Sequence, residues 1–349
     1  MGGKALKEIN TIRLDKKDYL LHKKKIFSIL SSFSDNFHFI EVPSLKEKED
    51  FGDMDILYYS NDGEGLDKET LYQLFNKNNN GQVVKNGNVI SVSYLIKENI
   101  YFQLDFIYVD KKDLNFNLFY LGYNDVGNLL GIISTSLNLK LKNNGLFYHF
   151  VEPENPSKFY GDILITNNIE EALDILGYDS LDYFPKIEKG FLNKKDIYDF
   201  LIKSKYFNID YYLIENQNSK HRKRDKKRGT YSDFLLYLEE LSSKNISNNN
   251  FTKKVDKNIV FNQLLINFPI FRESYKNKVK EVEKNKIFKE KFNRNIFESI
   301  TGYKGKELGK FIQAYKIKFG DDNAFKDFII SNDKYDIEKS IILFLSVYN

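Results

Sequence analysis

Phe51-Gly52-Asp53-Met54-Asp55-Ile56-Leu57-Tyr58-Tyr59 constrains this chain more than any other segment. Its apolar run reads as a strand, and on a strand alternate side chains share a face. Asp53 and Asp55 then point the same way while Met54 and Ile56 enter the core. Two acids side by side repel, an arrangement tolerated where a divalent cation neutralises them, and hard oxygen donors suit magnesium or manganese. A second run, Tyr101-Phe102-Gln103-Leu104-Asp105-Phe106-Ile107-Tyr108-Val109, is apolar enough that an unpartnered charge in its middle is costly. If the two strands pair, Asp105 completes a set of three acids able to hold two ions, and it is the candidate general base beside them. Taken alone, the Asp-x-Asp spacing equally describes an exposed turn, with Asp105 a strand-edge acid.

The flanking pattern supplies a sheet for those strands. Apolar residues at three- and four-residue spacing predict an amphipathic helix over 18–33, and β-rich runs at 37–42, 54–59, 89–95 and 101–109 enclose a helical stretch at 66–76. Further on, the pattern predicts helix through 125–142, extended chain at 145–151, and helices at 168–176, 193–203 and 231–241. The last is bracketed by a basic run and a polar stretch at 242–250, so a flexible boundary is expected over 214–229. Several lysine-faced helices follow over 257–348.

With 349 residues, two or three units are expected, and 15% aromatic content lets them fold despite abundant Asn and Lys. The absence of cysteine removes disulfides, thiolate nucleophiles and thiolate zinc sites. No apolar stretch reaches membrane-spanning length and no signal region opens the chain, which predicts a soluble, cytoplasmic protein without a membrane partner. The net charge of +4 is unevenly spread, for Lys220-His221-Arg222-Lys223-Arg224-Asp225-Lys226-Lys227-Arg228 holds seven Lys or Arg in nine residues. Such a run is either a solvated linker or a grip on a nucleic-acid backbone.

The segment Val42-Pro43-Ser44-Leu45-Lys46-Glu47-Lys48-Glu49-Asp50-Phe51-Gly52-Asp53-Met54-Asp55-Ile56-Leu57 resembles the signature of the DNA polymerase beta nucleotidyltransferase superfamily, a Gly-Ser helix start followed by Asp-x-Asp on a strand. It is most similar to the X-family polymerases. The resemblance implies that Ser44, Lys46, Lys48 and Gly52, with helix-start amides near Ser44, bind a triphosphate; Pro43 stands where the family has Gly. Leu118-Phe119-Tyr120-Leu121-Gly122 resembles the X-family Tyr-Phe-x-Gly segment, so Phe119, Tyr120 and Gly122 are expected to hold the nucleotide sugar and base. Asn168-Ile169-Glu170-Glu171-Ala172-Leu173-Asp174-Ile175-Leu176-Gly177 resembles the acidic helix near that family's C-terminus.

Only some 36 residues precede the first strand, too few for the lyase and hairpin-binding domains of X-family enzymes, and Leu130-Gly131-Ile132 stands where a template-contacting Arg is expected. Phe297-Glu298-Ser299-Ile300-Thr301-Gly302-Tyr303-Lys304-Gly305-Lys306-Glu307-Leu308-Gly309-Lys310-Phe311-Ile312 resembles a helix-turn-helix segment in the RNA-binding tails of transfer-RNA nucleotidyltransferases and poly(A) polymerases. The expectation is an α+β protein: a nucleotidyltransferase palm (1–115, a small mixed sheet with helices), a thumb-like extension (116–214), then a basic linker and helical nucleic-acid-binding domain (215–349). Asp53, Asp55 and Asp105 are the expected catalytic residues and ligands of two Mg²⁺ or Mn²⁺ ions. Arg222, Lys223, Arg224, Lys226, Lys227, Arg228, Lys304 and Lys306 are the expected contacts to DNA or RNA. The expected reaction adds a nucleoside monophosphate from a nucleoside triphosphate to a 3′ hydroxyl, without need of a template. Templated X-family-like synthesis, nucleotidyl modification of a protein or small molecule, and non-catalytic nucleic-acid binding are the alternatives.

Overall fold

A computed structural model of the chain describes residues 4–152, 155–217, 219–243 and 255–348, which fall into two compact units within Met1–Asn267 and Phe268–Asn349. The fold is mixed α+β. In the first unit, strand β1 (Leu14–Asp15) leads into helix α1 (Lys16–Phe33), which starts where the Asp15 side chain accepts the Asp18 amide and buries Tyr19, Ile26 and Leu30. Strands β2 (Phe37–Glu41), β3 (Asp50–Phe51) and β4 (Asp53–Ser60), helix α2 (Lys68–Asn76), and strands β5 (Val83–Asn86), β6 (Val89–Lys97) and β7 (Ile100–Tyr108) follow. Among the described residues these build a five-stranded sheet in the order β2-β4-β7-β6-β5, while β3 pairs with β1.

Only the central pair, β4 with β7, is parallel in that sheet; the others are antiparallel. One face carries Met54, Ile56, Phe102, Leu104 and Phe106 into a core closed by α1 and α2, so the period-two reading of β4 holds. The opposite face carries Asp53, Asp55 and Asp105, and Asp55 stands in register with Asp105. Beyond them on that face, Leu57 packs with Val42, Val109 and helix α3 (Leu114–Leu121).

Helix α4 (Val126–Ser136) ends earlier than its sequence predicts. Asn138 adopts φ 62° and turns the chain into β8 (Leu139–Lys142), where Leu139 and Leu141 face inward, so 139–142 is strand rather than helix. β8 pairs with β9 (Gly145–Glu152) and β9 with β10 (Asn155–Thr166) in a second, antiparallel sheet. Helix α5 (Ile169–Ile175) meets β9 and β10, and α6 (Ser180–Lys189) and α7 (Lys194–Leu201) follow it in the chain.

A second correction concerns 214–229, which is not a linker between units. Helices α8 (Ser219–Asp225) and α9 (Gly229–Ser243) belong to the first unit, which extends through α10 (Lys257–Asn267). The Phe234 ring sits 5.1 Å from that of Tyr198 and 5.0 Å from that of Tyr212, and Tyr231 and Leu238 are buried beside it. This apolar face fixes the basic run in place. Of the polar stretch expected at 242–250, residues 244–250 lie outside those described.

The second unit holds helices α11 (Pro269–Lys291), α12 (Arg294–Thr301), α13 (Gly305–Ile317), α14 (Asp322–Ser331) and α15 (Lys334–Leu345) around Phe297, Leu308, Phe311, Tyr315 and Phe325. Gly302 at φ 70° and Gly305 at φ 55° make the turn between α12 and α13, a backbone that side-chain-bearing residues resist. Among the described residues no helix is long and apolar enough to cross a membrane.

Candidate active site

Paired strands lie about 4.8 Å apart and alternate residues of one strand about 6.6 Å apart, so Asp53, Asp55 and Asp105 stand at the corners of a small triangle on one face. Burial and then like charge raise the proton affinities of Asp55 and Asp105. Burial pushes Asp55 up to about 7, and the charges of Asp53 and Asp105 push it the same way against Lys48. Asp105 rises to about 6, chiefly through burial and then the charge of Asp53, while hydrogen bonds from Ser91 and Gln103 oppose the rise. Ser91 Oγ donates to Asp105 Oδ1 at 2.6 Å, and Gln103 Nε2 lies 3.0 Å from both Asp105 oxygens.

Removing a donor that favours the charged form raises the pKa further. Ser91→Ala is therefore expected to move the Asp105 midpoint above about 6 and to shift the acid limb of any Asp105-dependent pH–rate profile toward alkali by roughly one unit. Carboxyl NMR titration of the metal-free variant checks this, and an unmoved midpoint rules the Ser91 bond out as a determinant.

Three oxygen-donor side chains on one face fit a hard divalent cation in kind. Among the described residues no three or more His, Cys, Asp or Glu form a ready-made metal cluster. Asp105 already accepts hydrogen bonds from Ser91 and Gln103, and a cation would compete with those donors for its oxygens.

Around Asp53 and Asp55, but not reaching Asp105, opens a cavity of about 880 Å³. Ser44, Lys48, Gly52, Asp53 and Asp55 line it on the sheet side. Lys48 is steered there by Phe51, with Nζ 4.6 Å from the ring centroid, and burial lowers its pKa while the acids hold it up. Phe51 in turn stacks on Tyr19 at 3.8 Å, and the Tyr19 hydroxyl donates to Glu41. Arg224, Lys227 and Arg228 line it too, together with Gly229 and Thr230, the first residues of α9. The amides of Lys227 and Arg228 bond to the carbonyls of Arg224 and Asp225, so the turns after α8 bring these three basic side chains to one side. Arg224 is bound to the buried Asp225 and Arg228 to Asp125.

No protein-family model, and no curated protein at a significant level, matches this chain.

Several expected site residues lie elsewhere. Residues 42–49 form no helix: the amides of Lys46 and Glu47 bond to the carbonyls of Phe191 and Leu192, that of Lys48 to Leu45, and Pro43 has none. Helix-start amides near Ser44 are thus absent as a phosphate cradle, and Lys46 is exposed off the cavity. Phe119 is buried beside Ile40 and Tyr123, and Tyr120 lines a separate cavity of about 380 Å³; neither lines the space around the acids. Gly122 packs on Pro43, where a Cβ would meet Pro43 Cγ at 2.9 Å and the Leu118 carbonyl at 2.6 Å. Arg222, Lys223 and Lys226 do not line the main cavity, and Lys304 and Lys306 are exposed at the start of α13 in the second unit.

Sequence reading missed Arg13, Asp125, Lys194 and Thr230 on the cavity wall. The Asp125–Arg228 pair spans 103 positions and leaves no local signal. Gly229-Thr230 before an apolar run is a helix-start pattern that could have been noticed.

Proposed function

We propose that the chain is a metal-dependent nucleotidyltransferase that moves a nucleoside monophosphate from a nucleoside triphosphate to the 3′ hydroxyl of a nucleic acid, releasing pyrophosphate. One observation carries the reading: Asp53 and Asp55, beside Asp105, share a cavity with Arg224, Lys227 and Arg228 of the basic run. Cations and carboxylates lining one cavity suit a substrate that carries phosphates toward bound metal. The resemblance to the polymerase beta superfamily around Asp53 and Asp55 points the same way.

In this reading Asp53, Asp55 and Asp105 hold Mg²⁺ or Mn²⁺, which when bound lowers the pKa of the attacking hydroxyl and neutralises charge on the triphosphate. Asp105, titrating at about 6, is suited to take the hydroxyl proton near neutral pH. Lys227, Arg228 and the first amides of α9 grip the outer phosphates, a role that the bonded amides of Lys46, Glu47 and Lys48 leave open. Ser44 and Lys48 contact the phosphates from the sheet side. Arg222, Lys223 and Lys226 are left for the acceptor backbone.

The test incubates the protein with magnesium or manganese, each labelled nucleoside triphosphate, and single-stranded or primed DNA and RNA. Ladders of extended strand support the reading. Label carried on protein or a small molecule instead turns it to the second class of acceptor, and no incorporation under any combination overturns it.

A further inference from the structure

The outward face of the second sheet carries rings and cations that the transfer site does not use. Along β8 Leu139 and Leu141 are buried, leaving Lys140 and Lys142 outward, and along β9 Phe147 and His149 alternate with the buried Leu146 and Phe150. The register sets Lys140 opposite Phe147 and His149 opposite Asp162 of β10. Lys142 Nζ lies 4.2 Å from the Phe147 centroid and Lys140 Nζ 4.8 Å from that of Phe159, whose ring stacks on His149 at 4.7 Å. Phe159 is 51% exposed and Leu164, opposite Phe147, is 45% exposed. Core packing does not require such apolar exposure, since α10 meets the other face, where the Phe261 ring lies 5.1 Å from Tyr148.

The charge of this face is in excess. Lys140, Lys142 and His149 converge on the single carboxylate of Asp162, so even with a neutral imidazole two cations meet one anion. Arg224 connects the face to the acids. It lines the cavity that holds Asp53 and Asp55 and also the cavity of about 380 Å³ lined by Tyr120, Lys140, Lys142 and His149. Arg224 thus borders both cavities, and Lys140 of the second reaches the Phe159 ring.

The exposed Phe159 ring and the half-buried Phe147 ring, flanked by cations, match a single strand, whose phosphates meet the charges while unpaired bases stack on the rings; a duplex keeps its bases inside. We infer that this sheet face is a platform for the single-stranded region behind the 3′ end of the acceptor, threaded past Arg224 to the acids. The direction of the strand rests on the nucleotidyl-transfer reading; the binding does not.

The test is fluorescence anisotropy of the full chain with a labelled single-stranded oligonucleotide and its duplex, with no nucleoside triphosphate present. Phe159→Ala and Phe147→Ala are each expected to weaken single-strand binding about tenfold while leaving duplex binding unchanged. Phe159→Leu, which keeps apolar bulk on a half-exposed site, should weaken it similarly and so separates loss of the ring from loss of the fold. Lys140→Gln with Lys142→Gln should reduce the slope of log affinity against log salt by roughly 1.4. Wild-type affinity in the ring variants, equal loss for strand and duplex, or no single-strand binding by the parent chain would overturn the platform. A chain that binds strand through these rings yet incorporates no nucleotide sinks the transfer reading and leaves the platform standing.

Discussion

Replacing Asp53 and Asp55 together by Asn is expected to abolish nucleotide incorporation, by at least about 10³-fold, while leaving the fold intact and the metal-free protein more stable at alkaline pH. The loss follows from removing two of three charges that would hold the metals. The gain in stability follows from the same charges. Folded Asp55 releases its proton at about 7 and Asp105 at about 6, whereas unfolded carboxyls release theirs near 4. Between those values the folded chain binds more protons than the unfolded one, so stability falls as pH rises from about 4 to about 7, and the penalty is fully present above that window.

Asn cannot ionise, and its presence also relieves the repulsion felt by Asp105. The double variant should therefore show a flatter dependence of melting temperature on pH. Magnesium at pH 8 should raise the melting temperature of the parent, because it binds only the folded carboxylates, and leave that of the variant unmoved. Thermal scans from pH 4 to 8 with and without the ion, beside an incorporation assay, read all of this. Parent-like incorporation by the variant would remove these acids from the chemistry.

The parts of this arrangement that depend on local periodicity were legible in the sequence. Strand β4 and helix α1 announce themselves through apolar spacing, and once β4 is a strand the shared direction of Asp53 and Asp55 is unavoidable. The pairing of Asp55 with Asp105 was reachable only as a conditional, because register between strands fifty positions apart depends on the sheet as a whole. Strand β8 hid behind a helical run: the alternation Leu139-Lys140-Leu141-Lys142 is four residues long and a single left-handed Asn138 separates it from α4. The basic run resembled a solvated linker because its charges dominate its composition, while the residues that anchor it, Tyr231 and Phe234, lie downstream and pack on Tyr198 and Tyr212. Ser44 failed as a helix start for a related reason, since the amides that would have opened the helix are bonded to carbonyls almost 150 positions away. Contacts of that range have no period to detect.

The same distance makes Arg228 the most informative single position on the cavity wall. If the transfer reading holds, Arg228→Ala is expected to lower kcat/KM for the nucleoside triphosphate about 10²-fold by removing a guanidinium proposed to meet phosphate. It also leaves Asp125, a largely buried carboxylate, without its partner, which costs about 1–3 kcal/mol of stability. The two effects are separable. Pairing Arg228→Ala with Asp125→Asn removes the stranded charge and should restore most of the melting temperature, but not the use of the triphosphate. Arg228→Lys should fall between, because an ammonium keeps the charge and loses the planar fork that meets two oxygens at once. Steady-state kinetics at varied triphosphate and thermal melts on the three variants give the comparison. If the double variant recovers activity along with stability, Arg228 is a structural partner of Asp125 alone, and the phosphates must be held by Lys227, Lys48 and the amides of α9 instead.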